Sequence, residues 1–229
     1  MSQRTPLGSK DEIESTRFFS IAPGIHTRGY LLSFKFGREK TEKLSEVFEV
    51  DIVKFKHPKE VRYSGYTSLN GFVYGRMNVA VPLRFGYGRQ KVLSLHQNKN
   101  DVGVSLAYTG GLVAGLMKPV YLYINMAPAS SPFVDARLER YNPEIHTDRT
   151  RMLGGTGFFT GFSESQIIPG VFGKAALVFD WGSYYDDYKS MELGVMVDVF
   201  QRRLPMMAYV TNQFAFPNLY MCYYFGSRW

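Results

Sequence analysis

Three carboxylates, Asp180, Glu192 and Asp198, fall in stretches of alternating polarity in the last third of the chain. Two carboxylates at a suitable separation can act as the general acid and the general base or nucleophile of a glycoside-type hydrolysis. Nothing around these three marks a groove for a sugar or an ester. Nucleophilic hydrolysis would instead need a serine, a histidine and a carboxylate brought together. The chain has four histidines, His26, His57, His96 and His146, and no G-x-S-x-G turn. His57 lies in FKHPKE, where a strand ends, and reads as a turn or rim residue. No catalytic residue is assigned.

A second group gathers Glu139, Glu144, His146 and Asp148 with Arg137, Arg140, Arg149 and Arg151. Glu144, His146 and Asp148 have the right donor types for a metal, but their spacing matches no defined ligand set and a solvated charged loop is the simpler reading. No metal and no cofactor is expected. The arginines can grip a carboxylate or phosphate bidentately, which makes Arg137, Arg140, Glu144, His146, Asp148, Arg149 and Arg151 a candidate binding surface. Gly154, Gly155, Gly157 and Gly161, interleaved with Phe158, Phe159 and Phe162, suggest an ordered return of this segment. They are not a phosphate-binding loop, since no strand-to-helix context surrounds them.

The elements that must position these groups are strands. From Tyr188 to Phe200, Met191, Leu193, Val195, Val197 and Val199 share one face, while Glu192, Gly194, Met196 and Asp198 share the other. The same division runs through Val171–Gly182, Asp101–Met117, Val79–Gly88, Phe48–Ile52 and Tyr30–Phe36. A less regular first strand, Arg17–Ile25, precedes them. A last strand, Leu219–Trp229, ends on an aromatic, as closing strands of outer-membrane barrels often do. Pro82 interrupts a ladder and implies a bulge. The polar faces are rich in Gly, Ala and Ser, with isolated charges: Lys35, Glu49, Asp51, Arg84, Lys174, Asp180, Glu192, Asp198 and Arg228. In a barrel of about eight strands the interior is only wide enough to be filled by side chains, so these nine are expected to form a paired polar network.

Composition agrees with that architecture. In 229 residues there are 16% aromatics, 22 Gly and 16 Tyr, which suits many strands with aromatic girdles and excludes a disordered chain. No run of about 18 apolar residues exists for a spanning helix. One cysteine, Cys222, excludes an internal disulfide and reads as a packing residue. The net charge of +7 suits the phosphates of a membrane surface, and no nucleic-acid signature accompanies it. Residues 1–16 form a polar extension with no apolar core, so no signal peptide is visible.

The expected fold is all-β: a small antiparallel transmembrane β-barrel of about eight strands, one domain over 17–229, with long extracellular loops including 118–170. Short turns at Arg38–Ser45, Arg89–Asn100 and Ser183–Asp187 fall at one end. The long connections Lys56–Asn78, Lys118–Gly170 and Gln201–Gln213 fall at the other. Several stretches resemble a group of uncharacterised outer-membrane β-barrel proteins of Bacteroidota: GIHTRGY (24–30), FKHPKEVR (55–62), LRFGYGRQKVL (83–93), KPVYLYI (118–124), VFGKAALVFDWGSY (171–184) and ELGVMVDVF (192–200). The resemblance implies a small outer-membrane barrel and no established activity. The expected function is a non-enzymatic outer-membrane protein that contacts membrane lipid and presents its loops to lipopolysaccharide or an envelope protein. An outer-membrane lipid hydrolase or acyltransferase and a soluble lipocalin-like binding barrel stand as alternatives.

Overall fold

The computed structural model describes residues 17–41, 43–64, 70–94, 102–128, 130–181 and 187–229. The extension 1–16, His96 and parts of the short turns lie outside them. In chain order the strands are β1 (Arg17–His26), β2 (Gly29–Thr41), β3 (Leu44–Phe55), β4 (Arg62–Tyr63), β5 (Phe72–Val73), β6 (Asn78–Ser94), β7 (Gly103–Pro119), β8 (Tyr121–Asn125), β9 (Ala136–Arg140), β10 (Met152–Gly155), β11 (Gln166–Asp180), β12 (Asp187–Phe200) and β13 (Ala215–Arg228). Eight of them close an antiparallel barrel in the order β1-β13-β12-β11-β7-β6-β3-β2. The expected eight-stranded fold is the observed one.

Alternation decides which way each side chain points, because successive Cβ atoms of a strand face opposite sides of the sheet. Leu112, Val195 and Leu219 face out and are 68%, 52% and 62% exposed, whereas Glu49, Asp51, Glu192 and Asp198 face in and are buried. The interior is layered. At the short-turn end the Phe18 and Tyr188 rings stack at 4.7 Å. At the other end Phe55, Phe200 and Phe216 pack together, with Phe216 4.9 Å from Phe55 and 5.8 Å from Phe200, beside buried Leu204 and Met206. Charged residues lie between these two apolar layers.

The sharp turn between β1 and β2 brings Gly29 (φ 147°) so close to the next strand that a Cβ would sit 2.2 Å from the Lys54 carbonyl oxygen. Gly37 has a different role. Phe18 lies across it, and a Cβ there would meet the ring at 2.0 Å.

The bulge expected at Pro82 is absent. The β6–β7 ladder runs unbroken through Pro82↔Gly115 and shifts register only between Val92 and Ser94. Strand parity explains this. Lys56 donates its backbone N–H to Arg28, so even positions of β3 face β2 and odd ones face β6; Val92 donates to Lys43, so even positions of β6 face β3. Pro82 therefore aims its missing N–H at Val53, not at β7. The β3–β6 ladder stops one residue short, at Ile52↔Leu83, and leaves the seam above it unpaired.

The long connection after β7 is more ordered than the loop the sequence implied. A three-stranded sheet, β10-β8-β9, stands on the barrel rim and buries Leu122, Ile124 and Met152 against Phe72 and Tyr141. The small β4–β5 hairpin lies beside it, and β11 begins at Gln166, earlier than Val171. These strands are short, so each offers too few alternations to be read from sequence.

Because Phe18 occupies the space over Gly37, Gly37→Ala is expected to lower the free energy of unfolding by about 1–3 kcal/mol through overpacking. Urea titration checks it. Shrinking the ring in the same chain, as Phe18→Leu, should return part of the loss.

Candidate functional site

The middle layer of the barrel interior brings together side chains from β2, β3, β6, β11, β12 and β13. Lys35 pairs with Glu192. Lys174 pairs with Glu49 and lies 3.8 Å from Asp51 and 3.6 Å from Glu192. Arg84 meets Asp198 through two hydrogen bonds of 2.7 Å, Nε to Oδ1 and Nη2 to Oδ2, and reaches Asp51 at 3.5 Å. Three cations thus face four carboxylates, each nearly inaccessible to solvent.

Hydroxyls and rings complete the set. Ser33 donates to Glu49 at 2.8 Å, Tyr224 donates to Ser33 at 2.9 Å, and Tyr220 donates to Glu192. Lys35 sits 4.0 Å above the Tyr224 ring and Lys174 5.0 Å above that of Tyr220. Ion pairs in a low-dielectric interior persist only when their remaining polar atoms are satisfied, and these partners largely do so. Glu49 Oε2 and Asp51 Oδ1 are the unsatisfied carboxylate atoms of this layer among the described residues. Arg228 and Asp180 form a separate pair nearer the short-turn end, with Arg228 5.1 Å from the Tyr188 ring.

Seven of the nine inward charges, Lys35, Glu49, Asp51, Arg84, Lys174, Glu192 and Asp198, therefore lie in one layer, and Arg228 and Asp180 in another. The three carboxylates considered for acid and base work are dispersed: Glu192 is held by Lys35 and Tyr220, Asp198 by Arg84, and Asp180 by Arg228. Ser33, Tyr220 and Tyr224 were missed as members of the network. Their inward parity was the signal available.

The loop residues form a different set, arranged on the cap. His146 Nδ1 accepts from the Asn142 backbone N–H at 3.0 Å, which leaves Nε2–H to donate to Glu139 at 3.1 Å. With both nitrogens engaged, His146 has no lone pair for a metal. Among the described residues no three His, Cys, Asp or Glu side chains cluster as a metal site. Asp148 caps the 3-10 turn Arg149–Arg151, accepting from Thr150 N at 2.9 Å and from Thr150 Oγ1 at 2.6 Å, and these bonds hold its carboxyl below the usual carboxylate range. Arg137 pairs with Asp135, Arg140 with Glu164, and Arg149 lies 4.6 Å from the Tyr63 ring. Arg151 is 3.9 Å from Asp148, and Glu144 is exposed with its backbone N–H on Asn142 Oδ1. Most of these arginines thus brace the cap locally. The His57 ring accepts from the Lys59 backbone N–H at 3.2 Å, a turn role, and burial lowers its pKa. Cys222 is buried as an unpaired thiol.

A closed eight-stranded antiparallel barrel with an apolar outer wall and an ion-paired interior is the class that fold and site define. No protein-family model and no curated protein matches the chain, so the likeness to Bacteroidota barrels has no counterpart in these comparisons. One similar solved structure is the crystal structure of Ail, the attachment invasion locus protein of Yersinia pestis, in complex with the heparin analogue sucrose octasulfate. The identity is 10% and the TM-score 0.38, over 95% of this chain and 100% of that one. So slight a likeness carries no weight here, and the fold assignment rests on the strand pairing itself.

Lys174 is the cation shared by three carboxylates. Lys174→Met should cost about 3–5 kcal/mol in urea unfolding of the folded chain, because it leaves buried charge uncompensated. Adding Glu49→Gln should recover part of that cost. A single-variant loss below about 1 kcal/mol would contradict the shared-cation geometry.

Proposed function

We propose that this chain is a non-enzymatic integral outer-membrane β-barrel that presents its strand-built cap to an envelope partner or to lipopolysaccharide. The observation that carries the reading is the inverted polarity of the barrel. A soluble ligand-binding barrel keeps apolar side chains inside and polar ones outside. Here the inside holds Lys35, Glu49, Asp51, Arg84, Lys174, Glu192 and Asp198, while large apolar side chains cover the outside. An outer apolar surface this continuous demands a covering, and hydrocarbon provides it around a whole barrel.

Aromatic placement supports the same reading. Outward rings collect toward the short-turn end, with Phe36 6.3 Å from Trp229, Trp181 5.8 Å from Tyr223, and Phe48 5.1 Å from Tyr87. Such a girdle suits a membrane–water interface. On β12 the outward series from Met191 to Val199 spans about 26 Å of strand, or roughly 20 Å along the membrane normal at a ~40° tilt. The opposite end carries the cap and all of its polar loops, which supports an extracellular position for it.

The test is an arginine on the outer wall. Val195→Arg should cost roughly 2–4 kcal/mol when the chain refolds into phosphatidylcholine vesicles, if the position lies near the bilayer midplane. A soluble barrel would accept an outward arginine at almost no cost, so a near-neutral effect would contradict the membrane reading.

A further inference from the structure

The unpaired seam between β3 and β6 opens onto a cavity of about 460 Å³ at the rim of the barrel. Its lining carries five cations, Lys54, Lys56, Arg62, Arg76 and Lys118, against one carboxylate, Glu60. Arg76 already pairs with Glu60, and its Nε is buried with no hydrogen-bond partner. Lys118 donates to the Thr160 carbonyl at 2.8 Å, and no ion pair to a carboxylate is formed by Lys54, Lys56 or Arg62 among the described residues. The cavity therefore holds a concentrated positive charge with almost nothing to neutralise it.

Its position is as informative as its charge. Lys54 and Tyr30 point outward from the barrel wall, Tyr30 being 69% exposed, so the cavity opens sideways as well as toward the cap. Further down the same two strands the wall bears a second, shallow groove of about 520 Å³. Phe48, Val50, Phe85, Tyr87 and Leu112 line it, and Gly110 leaves its floor bare. From Lys54 to Val50 is four residues, about 13 Å along the strand. A cationic notch thus stands directly above an apolar channel on the lipid-facing wall.

We propose that the β3–β6 notch binds the phosphate-bearing headgroup of a membrane lipid, with an acyl chain lying in the groove below. The proposal rests on the membrane reading above and deepens it by naming the partner's chemistry. Arg62 and Arg76 supply planar donors that match a phosphate, and Lys54, Lys56 and Lys118 supply point charges around it. Pro82 creates the opening, because its missing N–H ends the β3–β6 ladder where the notch begins. A free anion would use the cations alone. The aligned groove selects an anion that carries a hydrocarbon tail.

The experiment is native mass spectrometry of the full chain, released from detergent micelles loaded with equal amounts of dipalmitoyl phosphatidic acid and dipalmitoyl phosphatidylcholine. The wild-type chain should retain the phosphatidic acid at least about fivefold more, since each basic side chain near an anionic lipid contributes about that factor. Lys54→Gln, Lys56→Gln and Arg62→Gln together should remove the preference, and Pro82→Val, which restores a donor facing Val53, should weaken it. Heat-modifiable migration on a gel verifies folding of each variant first. Should the triple variant fail to fold, the single Lys54→Gln and Arg62→Gln chains decide the matter. Equal retention of both lipids, a preference that survives the substitutions, or displacement of the lipid by inorganic phosphate would each overturn the proposal. A chain that inserts into vesicles without any preference removes this inference alone, whereas a chain that never inserts removes the membrane reading beneath it.

Discussion

Backbone hydrogen bonding is the constraint on which every other feature of this molecule depends. Each residue except proline brings one N–H and one C=O, and a hydrocarbon environment offers neither group an alternative partner, so a sheet that spans it must close on itself. Here the closing seam lies between β1 and β13, from Phe18↔Arg228 to His26↔Tyr220. At its lower end Arg17 and Trp229 exchange backbone bonds of 2.8 and 2.9 Å. Once the ring is closed, alternation alone sorts the side chains into an apolar wall and a charged interior.

That sorting raises a second problem, which the interior solves by pairing. Buried lysines, arginines and carboxylates are costly unless each finds an opposite charge with good geometry. The register of the sheet sets opposite charges side by side, Asp51 beside Arg84 across β3 and β6 and Glu49 beside Lys35 across β2 and β3, while the close pairs Lys35–Glu192, Lys174–Glu49 and Arg84–Asp198 bridge the lumen. Lys174 and Glu192 then reach across the lumen from the opposite wall. The apolar layers of Phe18 and Tyr188 at one end and of Phe55, Phe200 and Phe216 at the other screen this network from water. Rim and interior use charge in opposite ways, since the interior cations are matched, whereas among the described residues only Arg76 of the notch cations has a carboxylate partner, Glu60.

The barrel was legible in the sequence because a two-residue period is a strong signal over strands of ten residues or more. Met191 to Val199 and Ala175 to Phe179 show it with hardly an exception. Individual partners were not legible. Arg84 and Asp198 are 114 positions apart and meet only because β6 and β12 face each other across a closed ring. Pro82 was misread because its type announces a lost donor but not the direction in which that donor would have pointed; the parity of β6 fixes the direction. The cap strands β8, β9 and β10 escaped notice because four or five residues cannot establish a period. The notch escaped for another reason: Lys54 and Lys118 lie in separate strands, and no spacing along the chain hints that they share a cavity.

The seam between β1 and β13 is where closure can be tested most directly, by deleting residues 225–229 and following heat-modifiable migration on a gel after refolding into vesicles. A closed membrane barrel predicts that the truncated chain, left with unpaired backbone groups on both edges, yields no compact fast-migrating species. A truncated chain that still inserts and migrates as a compact species would contradict closure through this seam.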